Sequence, residues 1–165
     1  MTALEDEARD TYAKFVATRM EIQAGTKPWS ALADFFTDDA IFIDPAWGRF
    51  EGKKAISTFL DDSMVGLEDW SFPEQWTMVE GNRVVSFLHN QLPGAKPDGS
   101  PYRVPTISIL HYAGNGKFSY DLDILNMAEL GEGLAASGWV PPKTMKRPPK
   151  VPDRNVTPND GMGSP

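Results

Sequence analysis

The chain lacks cysteine altogether, has only two histidines, and contains no long hydrophobic run within its 165 residues. The absence of cysteine excludes disulfides and thiol chemistry and is typical of a reducing cytoplasm. Because a membrane span needs about 20 consecutive apolar residues, no membrane partner is expected. The acidic segment at residues 4–7 is the opposite of a signal peptide, so the sequence predicts a cytoplasmic protein.

Positive charge is also scarce. The chain has 16 Lys and Arg against 23 Asp and Glu, which gives a formal net charge of −7. Binding to a phosphate backbone needs clustered cations, so no nucleic-acid partner is expected. The hydrophobic fraction of 41% over this length is sufficient for one core.

Charge and proline are distributed unevenly along the chain. Residues 141–165 contain seven prolines, five Lys or Arg and two Asp, a net charge of +3. Such a segment cannot bury enough apolar surface to offset its own ordering entropy. We therefore predict one domain over residues 1–140 and an extended basic arm over 141–165 that contributes little to folding. The arm either drapes over its own acidic body or a neighbouring subunit, or is a free tail.

The hydrophobic pattern changes from a helical period to a strand period partway along the chain. It predicts helices first and consecutive hairpins later, which together make an α+β architecture with helices packed on a curved antiparallel sheet. The predicted helices are 4–24, 29–36, 52–64 and 127–137, and the predicted strands are 40–44, 72–80, 83–92, 102–113 and 117–126.

One acid interrupts an otherwise apolar strand. Asp44 shares a strand face with Phe42, while Ile41 and Ile43 take the other face, so Asp44 is expected to point into the interior. Burial of a carboxylate is unfavourable and raises its pKa, which suits a general base or acid. The alternative is that Asp44 caps the turn that Pro45 opens.

The residues around Asp44 follow a recognisable order: an aromatic segment at 29–36, then Asp38-Asp39-Ala40, Asp44-Pro45 and Gly52-Lys53-Lys54-Ala55-Ile56. This pattern resembles the SnoaL-like polyketide cyclase branch of the nuclear transport factor 2-like superfamily, which includes ketosteroid isomerase, limonene epoxide hydrolase and scytalone dehydratase. The resemblance extends to about Trp139. It implies a cone-shaped, cystatin-like barrel with an apolar pocket between helices and sheet. It leaves the activity open, because this superfamily contains isomerases, cyclases, dehydratases, hydrolases and binding proteins.

A histidine on the strand 83–92 is the second candidate. His89 is an isolated imidazole on an apolar face, and near Asp44 it could carry a proton or donate a hydrogen bond to an oxygen that gains charge. The alternative is a core histidine bonded to a backbone carbonyl. His89 could in principle hold a divalent cation with Asp44 and Asp123, but two histidines do not make a usual zinc site, so no metal is expected.

Two further acids share one face of the last strand. Asp121 and Asp123 repel each other unless water, a base or a proton separates them. The resemblance places Asp123 at the last-strand acid of the cyclases and of limonene epoxide hydrolase. Asp121 stands where the cyclases often have His, so the chain departs from that pattern. The alternative is that both acids lie on a solvent-facing edge.

Other positions depart from individual members of the superfamily. Thr18 and Ser108 stand where ketosteroid isomerase has its carbonyl-polarising Tyr and Asp, so a standard steroid isomerase is not expected. The strand 83–92 offers no arginine beyond Arg83, which disfavours epoxide hydrolysis. The Asp, His and Tyr of the dehydratases could be supplied by Asp44, His89 and one of two tyrosines, Tyr102 or Tyr120.

These observations predict a cofactor-free enzyme that acts by proton transfer on a small apolar oxygenated molecule, such as a polyketide, steroid or terpenoid. Isomerisation, cyclisation and dehydration all remain open. Asp44 is the expected base, His89 the acid or oxyanion partner, and Asp123 assists. Substrate contacts are expected from Phe42, Trp47, Phe87, Gln91, Tyr102, Tyr120 and Asp121. The alternative is a non-catalytic binding protein of the same fold.

A homodimer is also expected. The strand 102–113 alternates Ile107 and Ile109 with Ser108 and Leu110, so both faces of a long strand need cover. We expect a second copy to supply that cover on the outer face of the sheet.

Overall fold

A computed structural model describes residues 2–159 and confirms the α+β fold, with helices at the N-terminal end and a curved sheet. The helices are α1 (Ala3–Gln23), a 3₁₀ helix (Trp29–Phe35), α2 (Lys53–Ser63) and α3 (Met127–Ser137). The strands are β1 (Phe36–Asp44), β2 (Gly48–Glu51), β3 (Glu74–Glu80), β4 (Arg83–Ala95), β5 (Pro101–Gly114) and β6 (Lys117–Leu125). Within residues 2–159, no helix is both long and apolar enough to cross a membrane.

The first helix begins with a reciprocal cap. The Thr2 hydroxyl accepts a hydrogen bond from the Glu5 amide at 3.3 Å, and the Glu5 carboxylate accepts one from the Thr2 amide at 2.7 Å. This capping box satisfies two backbone donors that a helix start otherwise leaves free. The helix then directs Tyr12, Phe15 and Ile22 into the core.

The strand order is β2-β1-β6-β5-β4-β3. Four neighbouring pairs are antiparallel, as expected, but β1 and β6 run parallel. The expectation of a wholly antiparallel barrel is therefore corrected to a mixed, open sheet. A parallel pair requires a long crossover, and the stretch from α2 through β5 provides it.

The core lies between the helices and the concave face of the sheet. Its centre is a cluster of aromatic rings, in which Phe15 packs edge-to-face on Phe36 and Phe118 with ring centroids 6.2 and 6.3 Å apart. Phe42 extends this cluster toward α2. The rings fill one end of the concave face, and the other end remains open as a cavity.

The basic arm lies against the body up to residue 159. The Arg49 guanidinium donates to the carbonyl oxygens of Asn155 and Thr157 at 3.1 and 2.7 Å, and the Tyr120 hydroxyl donates to that of Val156 at 2.7 Å. Residues 160–165 of the predicted arm lie outside the described residues. The division into a domain and an arm, and the small contribution of the arm to folding, stay predictions.

Gly48 shows how closely the arm approaches. It has φ +87°, and a Cβ there would lie 2.6 Å from the carbonyl oxygen of Asp153. Gly25 has φ +78° but open space around it, so Gly25→Ala is a matched control for backbone strain, which costs about 1 to 3 kcal/mol. We expect Gly48→Ala to lower the free energy of unfolding more than Gly25→Ala, and to accelerate tryptic cleavage after Lys150. Equal cleavage rates in the two variants would show that the arm does not dock at Gly48.

Candidate active site

A cavity of about 150 Å³ opens between α1, the 3₁₀ helix, α2 and the concave face of the sheet. Its wall is mostly apolar, with contributions from Phe15, Phe42 and Leu88. Eight polar or charged side chains also line the cavity. They are three acids, one cation and four neutral side chains: Asp44, Asp121, Asp123, Arg19, Ser63, Asn90, Thr106 and Ser108.

Asp44 ends β1 and reaches the cavity from the same strand face as Phe42. One of its carboxylate oxygens, Oδ1, accepts hydrogen bonds from the amides of Ala46 and Trp47, both at 2.7 Å. Burial raises the pKa of Asp44, although these two amides and the charge of Arg154 act in the opposite direction. Asp44 therefore both caps the turn and faces the cavity, so the two interpretations of its role are compatible.

Asp123 lies on β6, the strand between β1 and β5, and its carboxylate accepts a hydrogen bond from the Ser108 hydroxyl. Burial raises the pKa of Asp123 to about 7; the Ser108 hydrogen bond and Arg19 lower it, while Asp44 raises it further. The negative charge of Asp44 is thus one of the causes that raise the pKa of Asp123. A carboxyl with this pKa is substantially protonated at neutral pH and can donate a hydrogen bond.

Asp121 is the most enclosed of the three acids, with 3% of its surface exposed. Within residues 2–159, its Oδ1 has no hydrogen-bond partner. Burial raises the pKa of Asp121 well above its usual value, Asp123 adds to the effect, and Arg19 opposes it. Both β6 acids thus point inward from a central strand, and the alternative of a solvent-facing edge is wrong.

Sequence reasoning missed Arg19, the cation of this site. Its Nη2 donates to the Glu74 carboxylate at 2.7 Å. Glu74 also accepts hydrogen bonds from Tyr12 at 3.3 Å, from Thr77 at 2.9 Å and from Ser86. A buried ion pair is tolerated only when its remaining polar atoms are satisfied, and these hydroxyls satisfy Glu74. Glu74 thereby holds the Arg19 guanidinium at the cavity wall.

A signal for Arg19 was present in the sequence. The residue occupies the same helical stripe as Tyr12, Phe15 and Ile22, where a charged side chain needs a partner or a function.

Asn90 is a second cavity residue that sequence reasoning missed. Its amide donates to the Thr106 hydroxyl at 2.6 Å, and both side chains line the cavity.

The structure does not bring His89 to Asp44, which corrects the expected pairing. Side chains alternate along β4, and Ser86, Leu88 and Asn90 take the concave face. His89 therefore lies on the convex face, where its ring contacts Phe87 with centroids 5.3 Å apart. Polar residues occur on both faces of β4, so alternation alone could not identify the inner one.

The remaining expected contacts divide in the same way. Phe42 and Asp121 line the cavity, and Trp47 lines a second cavity beside it. Phe87 and Gln91 follow the same alternation and share the convex face with His89. The expectation that they contact substrate in the cavity is therefore wrong as well. The two tyrosines also lie outside the cavity: Tyr102 donates to the carbonyl of Ala136 at 3.1 Å, and Tyr120 stacks on His111.

Within residues 2–159, no group of three or more His, Cys, Asp or Glu side chains is arranged to hold a metal ion.

Comparison with known proteins points to one family. The model of the SnoaL-like domain matches residues 8–120. No curated protein matches this chain.

Solved structures share the fold at low sequence identity. One, described as a SnoaL-like polyketide cyclase from Shewanella putrefaciens CN-32, is 18% identical with a TM-score of 0.62, over 78% of this chain and 85% of that chain. A steroid delta-isomerase from Pseudomonas aeruginosa is 17% identical with a TM-score of 0.58, over 82% and 93%. A protein with a ketosteroid isomerase-like fold from Catenulispora acidiphila, in complex with trimethylamine, is 24% identical with a TM-score of 0.56, over 77% and 97%.

The raised pKa of Asp123 has a consequence for stability. An unfolded chain ionises this carboxyl near pH 4, whereas the folded protein does so near pH 7, so stability falls as the pH rises through that window. Asp123→Asn removes this contribution. We expect the loss of unfolding free energy between pH 5 and pH 8, measured by urea titration, to be smaller in Asp123→Asn than in the wild type. Asp10→Asn, at an exposed position, is the control; an unchanged pH dependence in Asp123→Asn would contradict the burial of its charge.

Proposed function

Since the chain belongs to the SnoaL-like domain family, we propose that it is a cofactor-independent enzyme that transfers protons on a small apolar oxygenated molecule. The observation that carries this proposal is the set of three acids with raised pKa around one largely apolar cavity. Perturbed acids that share a cavity are typical of acid/base catalysis.

The environments of the acids support a division of roles. Two backbone amides and the charge of Arg154 favour the ionised form of Asp44. Asp121, in contrast, has an oxygen for which residues 2–159 provide no hydrogen-bond partner, and the pKa of Asp123 is about 7. Asp44 is therefore the base, and Asp123 in its protonated form is the acid. Asp123 takes the role that the sequence had suggested for His89.

The proposed reaction begins at a carbon next to a carbonyl group. Asp44 accepts the proton, the C–H bond breaks, and its electron pair moves toward the carbonyl oxygen. Asp123 donates a hydrogen bond to that oxygen, and the positive charge of Arg19 favours the negative charge that develops there. Return of the proton to a carbon conjugated with the enolate gives isomerisation. Departure of a β-hydroxyl together with the proton that Asp44 holds gives dehydration, and attack of the enolate carbon on a second carbonyl, whose oxygen receives that proton, gives cyclisation.

One observation favours a rival function, that of a non-catalytic small-molecule-binding protein. The Oδ1 atom of Asp44 is already occupied by the amides of Ala46 and Trp47, a role that a purely structural residue would also fill. A binding protein would hold ligands in the same cavity without moving their protons.

Hydrogen–deuterium exchange separates the two functions without knowledge of the natural substrate. A panel of cyclic ketones that includes 2-tetralone is incubated in D₂O, and exchange at the carbons next to the carbonyl is followed by NMR. We expect the wild type to accelerate exchange and Asp44→Asn to lose about 10²- to 10⁴-fold of that acceleration, the usual contribution of a positioned base. The Asn side-chain oxygen can still accept from the turn amides, so the fold should persist, which thermal melting checks.

His89→Ala is the matched control, because His89 lies on the other face of the sheet and should leave the exchange rate unchanged. Saturable ketone binding without exchange would establish the binding protein instead. A loss in His89→Ala as large as that in Asp44→Asn would contradict the assignment of the acid to Asp123.

A second copy of the chain is proposed to cover the convex face of the sheet. Trp76, Phe87, Ile107 and Ile124 form a row across four strands in register, with Trp76 46% and Ile124 48% exposed. An apolar row of this kind favours association over contact with water.

A charged side chain at the centre of this row should prevent the dimer from forming. We expect light scattering at micromolar concentration to report a dimer for the wild type and a monomer for Ile107→Glu, because a carboxylate there would be buried without a partner. Val151→Glu, on the arm at a position 90% exposed, should remain dimeric. A monomeric wild type would rule out this interface.

A further inference from the structure

A second cavity, of about 260 Å³, lies beside the acid-lined one. We refer to the acid-lined cavity as the inner chamber and to this second cavity as the outer chamber. The two share part of their walls, including Asp44, Phe72 and Asn90. The two chambers therefore adjoin at these residues, and a ligand that spanned both would have one end beside Asp44.

The two chambers differ in chemistry. Every residue that lines the outer chamber but not the inner one is apolar, and three of them are Trp47, Trp70 and Trp139. Trp70 and Trp139 pack edge-to-face with centroids 5.6 Å apart. Walls that are largely aromatic and aliphatic favour an apolar ring over a chain that carries hydroxyls or charge. The Trp70 indole N–H, which is buried and has no hydrogen-bond partner within residues 2–159, belongs to this wall.

Much of the outer wall comes from the segment that follows β6. Leu130 and Leu134 of α3 contribute, followed by Met145 and Pro148 of the arm. These residues lie beyond residues 8–120, the region that the family model matches. The outer chamber is therefore a feature of this chain's C-terminal segment, not of the matched region alone.

Specific contacts hold this segment in place. Lys146 forms an ion pair with Asp62 at 2.6 Å, and Arg154 donates to the carbonyl of Pro45, directly after Asp44. Gly66 has φ +87°, and a Cβ there would lie 2.6 Å from Pro142 and 3.2 Å from Met145. The arm therefore packs against the backbone of Gly66 at a distance that only glycine permits.

The volumes decide how large a ligand the chambers can hold. An apolar cavity of about 150 Å³ accommodates one benzene ring. The inner chamber is of that size, and the outer chamber is larger. A ligand that fills both has at least two ring units, with its oxygen function at one end.

We propose that residues 127–148 form a second substrate compartment that binds the apolar ring end of an elongated ligand while its oxygen function lies against Asp44. The proposal rests on the proposed function for the position of the oxygenated end. Leu130 and Met145 are then specificity-determining residues, since their side chains set the depth of the outer chamber.

The test compares two probes by isothermal titration calorimetry: phenol, with one ring, and 4-phenylphenol, with two. We expect the wild type to bind 4-phenylphenol at least tenfold more tightly than phenol. Leu130→Trp places a bulkier ring in the outer chamber, where it obstructs a second ligand ring, and should abolish this preference, with phenol affinity within twofold of the wild type. Val151→Trp adds the same ring at an exposed position of the arm and should keep the preference.

Met145→Trp fills the chamber from the arm instead of α3, so it provides the same test should Leu130→Trp fail to fold. Equal affinities of the wild type for the two probes would overturn the proposal, as would a Leu130→Trp or Met145→Trp variant that keeps the two-ring preference. Binding is read without turnover. A two-ring preference without ketone exchange would leave the compartment standing in a binding protein, and exchange without that preference would leave the enzyme standing without the compartment.

Discussion

Three carboxyl groups and one guanidinium share an apolar cavity, and the site depends on how their charges are compensated. Glu74 forms an ion pair with Arg19, and the hydroxyls around Glu74 satisfy its oxygens. Arg19 in turn lowers the pKa of Asp121 and Asp123, but less than burial raises it. An ionised side chain is therefore costly to bury in this cavity. The positive charge of Arg19 compensates the negative charge of Glu74 more fully than it compensates the β6 acids.

The same constraint explains why Asp44 has both a structural and a chemical role. Two amides at its δ1 oxygen make a carboxylate tolerable at the end of a buried strand. They also orient the carboxyl, so a group that holds the turn is held in position for chemistry. Asp121, one oxygen of which has no hydrogen-bond partner within residues 2–159, has a pKa well above its usual value because burial disfavours its charged form.

The C-terminal arm forms part of the wall of the outer chamber. Its prolines and cations do not form a core, but its backbone carbonyls accept from Arg49 and Tyr120, and its apolar side chains close one side of the outer chamber. Glycine at positions 48 and 66 permits this approach. Up to residue 159, the segment therefore lies along a surface where glycine leaves room for its backbone and side chains.

The helices, the later hairpins from β3 to β6, the inward direction of Asp44, and the shared face of Asp121 and Asp123 were determined by the sequence, because period and alternation are local properties of the chain. The short strand β2, which pairs with β1 ahead of α2, was not predicted. The inner face of β4 was not, since polar residues alternate on both of its faces and only packing against the helices selects Asn90 over His89. The parallel pairing of β1 with β6, the Arg19–Glu74 pair and the second chamber were likewise decided by tertiary structure. Each joins residues far apart along the chain, and the free energy of such contacts depends on burial that no local pattern records.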